Sequence, residues 1–314
     1  SLTRAVGDGH EAEFSKRALL RRESQSLSQT RQGLTPLRLW GAEIASDPPT
    51  VEYERVRSHG LAELLRAIRR CGFAFVAGLP PTPDATERLL ESIGPIRNTH
   101  YGAFYVFTAD LSSKDTAYTS EALDPHTDNT YFSDPAGLQA LHLLEHTHGA
   151  GGASLLVDGF AAAHALFRDD PDAYRLLAAV PVLAHASGNK GVSLQPAVPA
   201  PVLAHHPHTG QLAQVRWNNA DRAGLVCDHA GIDAWYDAAS KFSALLSAPA
   251  SQYIFQLVPG RLLIFDNWRV LHGRTAFTGR RRVCGAYINR DDFVSRFRAT
   301  NLGEGEVGGS TVTG

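Results

Sequence analysis

The segment from Arg261 to Ile288 reads RLLIFDNWRVLHGRTAFTGRRRVCGAYI. Its two apolar runs, 261–265 and 283–288, have the length and composition of buried strands, and Gly residues interrupt the chain between them. Further runs of the same kind predict strands at 73–76, 138–145, 154–158, 212–217 and 253–258. Many short strands separated by Gly and Pro favour a β-sandwich or barrel over a regular βαβ alternation.

Helical patterns are predicted to surround this β-rich core. In 59–71 the apolar residues recur at i, i+3, i+4 and i+7, the spacing of one helix face. A second helix is predicted at 83–93, with Thr82 as its N-cap and Pro83 at its first position. Further helices are predicted at 160–167, 171–179 and 230–247. The predicted fold class is therefore mainly β with flanking helices.

Composition excludes several classes of protein. Of the 314 residues, 43% are apolar and only 20% are charged, which is incompatible with a disordered chain. The formal net charge of −2 argues against a nucleic-acid partner and against a membrane-surface binder. No apolar run approaches the roughly 18 residues of a membrane span. Three scattered Cys without a CxxC predict neither a disulfide framework nor a cysteine zinc site, and they favour a reducing intracellular compartment.

Both ends of the chain differ in composition from its centre. Residues 1–34 are rich in Ser, Gln and Arg, and we interpret them as a linker or extension. Residues 303–314, GEGEVGGSTVTG, have the composition of a flexible tail. Because the sequence contains no Met, we expect a trimmed or partial polypeptide, with 1–34 as the remnant of a connector to an absent N-terminal domain. A naturally short form is the alternative.

One short motif has the residue types of a metal site. In an extended segment His126 and Asp128 point to one face, so both side chains could bind the same ion. A distant His would complete the two-histidine, one-carboxylate set of non-haem Fe(II) oxygenases. A single HxD pair is expected by chance in a chain with 14 His, however, so this motif alone decides nothing.

A basic cluster lies shortly after His272. Arg281, nine residues further on, opens the strand-like run that ends at Ile288. An Arg fork in that position could bind one end of a dicarboxylate through paired hydrogen bonds. The alternative is that residues 280–282 form a solvated basic turn.

Several long strings in the chain resemble the γ-butyrobetaine and trimethyllysine dioxygenase family, within the Fe(II)/2-oxoglutarate oxygenases related to taurine dioxygenase. The similarity runs from about Leu37 to Phe297. It is densest in GPIRNTHYG (94–102), DTAYT (115–119), HTDNTYF (126–132), GGASLLVDGF (151–160), RWNNADR (216–222) and FDNWRVLHGRTAFTGRRRVCGAYINRDDF (265–293). The resemblance implies a double-stranded β-helix, the cupin-like jelly roll, and a catalytic domain at 35–302.

The resemblance also implies the residues of a metal and cosubstrate site. His126, Asp128 and His272 match the iron ligands and form the expected catalytic centre. Arg281 matches the residue that binds the distal carboxylate of 2-oxoglutarate, and Ser154 matches a supporting hydroxyl.

For the substrate, the resemblance implies a trimethylammonium group held in an aromatic cage. The cage residues are Tyr101, Tyr105, Tyr118 and Tyr287, while Asp115 and Asn218 match residues that hold the amino-acid end. A quaternary ammonium has no N–H donor, so aromatic faces suit it through cation–π attraction. Tyr105 stands where Trp is usual, which predicts a weaker cation–π surface.

The expected activity follows from the same resemblance. It is the hydroxylation of trimethyllysine to 3-hydroxy-trimethyllysine in carnitine biosynthesis, with Fe(II), 2-oxoglutarate, O2 and ascorbate as reductant, and with release of succinate and CO2. Asp115 favours trimethyllysine because an acid can pair with the α-ammonium that γ-butyrobetaine lacks.

The sequence is also compatible with other functions. One alternative is γ-butyrobetaine hydroxylase, or a dioxygenase acting on another trimethylammonium compound. The non-enzyme alternative is a quaternary-amine binding module. At the level of the family we expect a homodimer, with an intracellular location in the cytoplasm or the mitochondrial matrix.

Overall fold

Two facing β-sheets with helices outside them form the protein. The computed structural model describes residues 2–5, 9, 11–14, 36–108, 120–187, 191–207 and 209–303. Its strands, numbered in chain order, are β1 (Leu2–Ala5), β2 (Glu11–Phe14), β3 (Thr50–Glu52), β4 (Phe73–Ala77), β5 (Tyr105–Thr108), β6 (Leu123–His126), β7 (Leu138–Thr147), β8 (Ser154–Asp158), β9 (Pro181–Ala184), β10 (Ala186–Ser187), β11 (Ser193–Leu194), β12 (Ala200–Pro201), β13 (Leu203–His205), β14 (Leu212–Val215), β15 (Arg222–Leu225), β16 (Gln252–Phe255), β17 (Arg261–Asp266), β18 (Val270–Arg274) and β19 (Arg280–Ile288). Its helices are α1 (Tyr53–Arg55), α2 (Leu61–Cys71), α3 (Pro83–Ile93), α4 (Gly159–Asp169), α5 (Pro171–Ala179), α6 (His229–Ser247) and α7 (Arg290–Asn301).

The larger sheet has six strands in the order β3-β4-β17-β7-β19-β5, and the smaller has four in the order β16-β8-β18-β6. Neighbouring strands are antiparallel except for the β3–β4 pair. Both sheets join strands that are far apart in sequence, as a jelly roll does. The prediction of a mainly β, jelly-roll fold with flanking helices is confirmed.

Alternation along the strands separates an interior core from two outer cores. On β17, Leu263 and Phe265 face the space between the sheets, whereas Leu262 and Ile264 pack with apolar residues of α2, α3 and α7. On β18, Val270 faces the interior and Leu271 packs against the layer formed by α4, α5 and α6. His272, the next residue, therefore turns back to the interior.

Most of the predicted elements are present with small shifts at their ends. Helix α3 begins at Pro83, and the Thr82 hydroxyl accepts a hydrogen bond from the amide of Ala85 at 3.4 Å, as its N-cap role predicts. Helix α2 ends before Gly72, whose φ of +81° is the left-handed conformation that Gly adopts readily. The elements that the sequence patterns did not predict include β5, β6, β18 and α7.

The terminal segments stay predictions. Residues 2–5 and 11–14 form an antiparallel pair, which the interpretation of 1–34 as a linker did not include. Residues 15–35 and the tail from 304 to 314 lie outside the described residues. Among the described helices, none is both long and apolar enough to cross a membrane.

A buried ion pair ties the smaller sheet to the helix layer outside the larger sheet. The Arg269 side chain is 1% exposed and donates to Asp158 from Nε at 3.0 Å and from Nη2 at 2.6 Å, and the Asp158 side chain is fully buried. Arg269 also donates to the carbonyls of Arg70, near the end of α2, and Arg38. Because both charges are buried, the fold depends on the pair staying intact.

Candidate active site

Three side chains that offer metal ligands meet between the sheets. Ligand atoms of His126, Asp128 and His272 all lie within 4.8 Å of one another. His126 Nε2 is 3.4 Å from Asp128 Oδ1, and His272 Nε2 is 4.0 Å from Asp128 Oδ2. Two imidazole nitrogens and one carboxylate are the donor set of non-haem Fe(II) oxygenases. The residues present therefore fit an Fe(II) ion.

Strand pairing brings the two histidines together. His126 is the last residue of β6 and His272 lies within β18, and the two are direct partners in the antiparallel register. Their ring centroids are 4.2 Å apart. Gly273 allows the strands to approach this closely, because a Cβ there would collide with the carbonyl oxygen of Leu123. The His126 Nδ1 is 2.8 Å from the carbonyl oxygen of Asp124, which leaves Nε2 facing the cluster.

Electrostatics favour the metal-binding protonation state at two of the three side chains, His272 and Asp128. Burial and the neighbouring His126 lower the pKa of His272 to about 3, so this imidazole is neutral at physiological pH. Burial opposes ionisation of Asp128, but the imidazoles of His272 and His126 and the Tyr287 hydroxyl outweigh it and hold its pKa well below the usual range. For His126, burial disfavours the charged form, yet the hydrogen bond and charge of Asp128 raise the pKa. A neutral imidazole and an ionised carboxylate are the protonation states that bind metals.

A cavity opens from the cluster toward two arginines. Ser154, Arg274 and Arg281 line it together with the three predicted ligands. Arg281 is 6% exposed, and burial lowers its pKa. Within the described ranges no carboxylate lies at ion-pair distance from Arg281, whose guanidinium is 5.5 Å from the centroid of the Phe277 ring. A buried cation in such a setting favours an anionic ligand, because burying an unpaired charge is costly.

Aromatic rings line another part of the same cavity. Of the predicted cage residues, Tyr101, Tyr105 and Tyr287 lie in the cavity wall, with Tyr105 and Tyr287 ring centroids 5.8 Å apart. Tyr118 lies outside the described residues. The Tyr287 hydroxyl donates to Asp128 Oδ2 at 2.7 Å, a contact that the cage assignment did not predict. Burial and the charge of Asp128 raise the Tyr287 pKa well above its usual value, so it stays a donor.

The polar wall of the cavity contains the predicted Asn218 and a second residue, Asp221, that was not predicted. Asn218 lines it, but the Asn218 amide oxygen already accepts from the amides of Ala220 and Asp221. The Asn218 Nδ2 donates to Asp221 Oδ2 at 2.9 Å. Asp115 lies outside the described residues, whereas Asp221, which sequence reasoning missed, lines the cavity.

Sequence reasoning also missed other residues of the wall, namely Phe107, Tyr131, Gln139, Arg274 and Phe277. The signal for Asp221 and Arg274 was available in principle. Asp221 belongs to the string RWNNADR and Arg274 follows His272 by two residues, which puts it on the same strand face.

The chain is similar to known proteins over most of its length. Residues 30–287 match the family model described as taurine catabolism dioxygenase TauD, TfdA family. A trimethyllysine dioxygenase of Neurospora crassa is 48% identical over 86% of this chain and 65% of its own length. A mitochondrial trimethyllysine dioxygenase of Gallus gallus is 40% identical over 94% of this chain and 71% of its own. A gamma-butyrobetaine dioxygenase of Pseudomonas sp. (strain AK-1) is 35% identical over 75% of this chain and 61% of its own.

A solved structure supports the fold. A putative alpha-ketoglutarate-dependent taurine dioxygenase from Burkholderia xenovorans superposes with a TM-score of 0.59 at 15% identity, over 81% of this chain and 91% of that one. The chain spans just under two thirds of the Neurospora relative, at 65% of its length.

Proposed function

We propose that this chain, which belongs to the taurine catabolism dioxygenase TauD, TfdA family, hydroxylates trimethyllysine to 3-hydroxy-trimethyllysine. The reaction would use Fe(II), 2-oxoglutarate and O2, and would release succinate and CO2. The observation that carries the proposal is one cavity lined by a His126-Asp128-His272 cluster, a buried Arg281 and aromatic rings. Relatives named trimethyllysine dioxygenase, at 48% and 40% identity, support the choice of substrate.

The His126-Asp128-His272 cluster and Arg281 would bind the metal and the cosubstrate, respectively. His126, Asp128 and His272 would hold Fe(II), which supplies the oxidation of an unactivated C–H bond when it is bound with 2-oxoglutarate and O2. Arg281 would bind the distal carboxylate of 2-oxoglutarate through its fork of N–H donors. Three protein ligands leave coordination positions open for the cosubstrates.

The aromatic rings would hold the trimethylammonium end of the substrate. Tyr101, Tyr105 and Tyr287 offer π-faces to a trimethylammonium group, which cannot donate a hydrogen bond. Because Tyr287 also contacts Asp128, a group held against it lies close to the metal ligands. Holding the substrate at both ends orients one C–H bond toward the metal and reduces the entropy cost of reaction.

Asp221 is our candidate for the α-ammonium group of trimethyllysine. The Thr130 hydroxyl donates to its Oδ2 at 3.2 Å and Asn218 Nδ2 donates to the same oxygen at 2.9 Å, so the carboxylate has a fixed orientation in the cavity wall. A carboxylate stabilises an ammonium ligand and gains nothing from the bare carboxylate end of γ-butyrobetaine. The sequence-based prediction that Asp115 pairs with the same ammonium group stays a prediction, since Asp115 lies outside the described residues.

The substrate can be tested by direct assay. The protein is incubated with Fe(II), ascorbate, 2-oxoglutarate and either trimethyllysine or γ-butyrobetaine, and products are analysed by mass spectrometry. We expect a product one oxygen atom heavier from trimethyllysine, formed together with succinate. Product from γ-butyrobetaine alone would contradict the proposed substrate and favour the alternative that the Pseudomonas relative suggests.

Changing Asp221 to Asn should separate the two substrates. We expect KM for trimethyllysine to rise about tenfold or more, because a charge-assisted hydrogen bond is lost, with a much smaller change for γ-butyrobetaine. The matched control is Asp134→Asn, which alters an acid with a 65% exposed side chain near Arg97. Equal losses with both substrates would mean that Asp221 only supports the Asn218 turn.

Four further expectations accompany this proposal. The vertebrate relative is named mitochondrial, which supports the mitochondrial matrix over the cytoplasm as the location. Ascorbate as reductant and a homodimer remain predictions from the resemblance. The alternative of a quaternary-amine binding module predicts binding without turnover.

A further inference from the structure

Asp128 lies past the end of β6, so no strand ladder fixes its backbone. The next residue, Asn129, has a φ of +63°, a left-handed conformation in which few non-Gly residues are found. On one side of this turn, the backbone of Trp217 accepts from the Thr127 amide at 2.7 Å and donates to the Thr127 hydroxyl at 2.9 Å. The peptide groups of Asp128 itself need partners from the other side, because buried peptide groups are costly to leave unpaired.

Those partners belong to the side chain of Asn267, which is 139 positions away in sequence. The Asp128 amide donates to Asn267 Oδ1 at 2.8 Å, and Asn267 Nδ2 donates to the Asp128 carbonyl at 3.0 Å. The side-chain amide thus pairs with both peptide groups of one residue, as a neighbouring strand would. Asn267 is 1% exposed, so water does not compete for these bonds.

Only an Asn side chain in this orientation satisfies the whole set. The second Nδ2 hydrogen bonds to the Ala136 carbonyl at 3.0 Å, so the NH2 group faces two carbonyls and the oxygen faces one N–H. Rotating the amide by half a turn would oppose oxygen to two carbonyls. An Asp at position 267 would place a negatively charged oxygen against the same two carbonyls.

From these contacts we infer that Asn267 is a positioning residue that sets where the Asp128 carboxylate meets the metal. Asn267 lies outside the cavity wall and contacts Asp128 through the Asp128 backbone alone. The inference rests on the proposed function in one respect, namely that Asp128 is a metal ligand. Partners behind metal ligands typically change metal affinity or activity by about 10–100-fold when they are removed.

The contacts of Arg216 distinguish this role from general support of the loop. Arg216 is 8% exposed and donates to the carbonyls of Thr130, Phe132 and Ser133, further along the same loop. In the described part of the chain Arg216 forms no hydrogen bond or ion pair with Asp128. Loop support and ligand positioning therefore depend on different side chains, and variants can separate them.

The test measures binding of Co(II), which reports on the site without turnover, by isothermal titration calorimetry. For Asn267→Asp we expect Kd for Co(II) to rise at least about tenfold. Two folded controls should bind Co(II) within twofold of the parent. Arg216→Lys alters the loop without touching Asp128, and Thr86→Val removes a buried hydrogen bond to His142 that lies outside the cavity wall.

Unchanged Co(II) affinity in folded Asn267→Asp would overturn the inference, and equal loss in Arg216→Lys would reduce Asn267 to loop support. Failure of the parent itself to bind Co(II) would instead count against the proposed metal site. If Asn267→Asp does not fold, hydrogen exchange in the parent decides. The Asp128 amide should be protected at least about tenfold beyond a free peptide amide. An unprotected amide would refute the pairing of Asn267 with the Asp128 backbone.

Discussion

Replacing His126 by Ala is expected to abolish turnover of 2-oxoglutarate in the presence of substrate. The change removes one of three ligands, and the remaining His272 and Asp128 cannot complete the set that non-haem Fe(II) requires. The loss should exceed the about 100-fold that removal of an outer partner costs. Succinate release, followed by mass spectrometry, measures it, and titration with Co(II) should show weakened metal binding in parallel.

A matched control comes from a histidine outside the cavity. His205 Nε2 is 2.8 Å from the Tyr174 hydroxyl. His205 belongs neither to the cavity wall nor to a cluster of metal-ligating side chains among the described residues, so His205→Ala should retain turnover. The same experiment separates an oxygenase from a quaternary-amine binding module. A module would bind trimethyllysine but show no succinate release in the parent, so there would be no turnover for His126→Ala to remove.

The sequence predicted the parts of the fold whose residues alternate or recur clearly. Helix α3 begins and ends where the pattern and its cap predicted, and β8 matches residue for residue. The strands that hold the ligands were missed for a physical reason. β18 reads VLHGR and β6 reads LDPH. Polar site residues, among them His126, His272 and Arg274, interrupt the apolar pattern of these strands, so the pattern does not indicate a strand.

For the site, the predicted ligands were available from sequence but their supports were not. His126, Asp128 and His272 belong to long strings that resemble a family, and the structure brings them together. Asn267 belongs to the same strings, yet its pairing with Asp128 depends on the register of β17 against β7 and on the path of the chain after β6. Such contacts follow from tertiary structure, which local patterns do not encode.

Replacing Arg269 by Ala is expected to destabilise the fold by about 3–5 kcal/mol, because it leaves Asp158 as a buried charge without its counterion. The amides of Trp40, Phe160 and Ala161 would still donate to that carboxylate. They supply hydrogen bonds but not a full positive charge. Two carbonyls, of Arg70 and Arg38, would also lose their donor.

Thermal or denaturant unfolding measures the effect, and an exposed pair supplies the control. Arg168 and Asp169 form a similar two-bond ion pair with 68% and 53% exposed side chains, and Arg168→Ala should leave stability unchanged within error. Arg269→Lys should fall between the two, since it keeps the charge but lacks the fork that reaches both Asp158 oxygens.

Activity distinguishes this structural role from a catalytic one. Arg269 lies three residues before His272 but outside the cavity wall, so the fraction of Arg269→Ala that is folded should turn over like the parent. A loss of kcat in fully folded protein would mean instead that the ion pair holds β18, and with it His272, in the geometry that the metal needs. If Arg269→Ala unfolds at the same temperature as the parent, the surrounding amides are sufficient to stabilise the buried Asp158 carboxylate. The ion pair then does not contribute the stability that we assign to it.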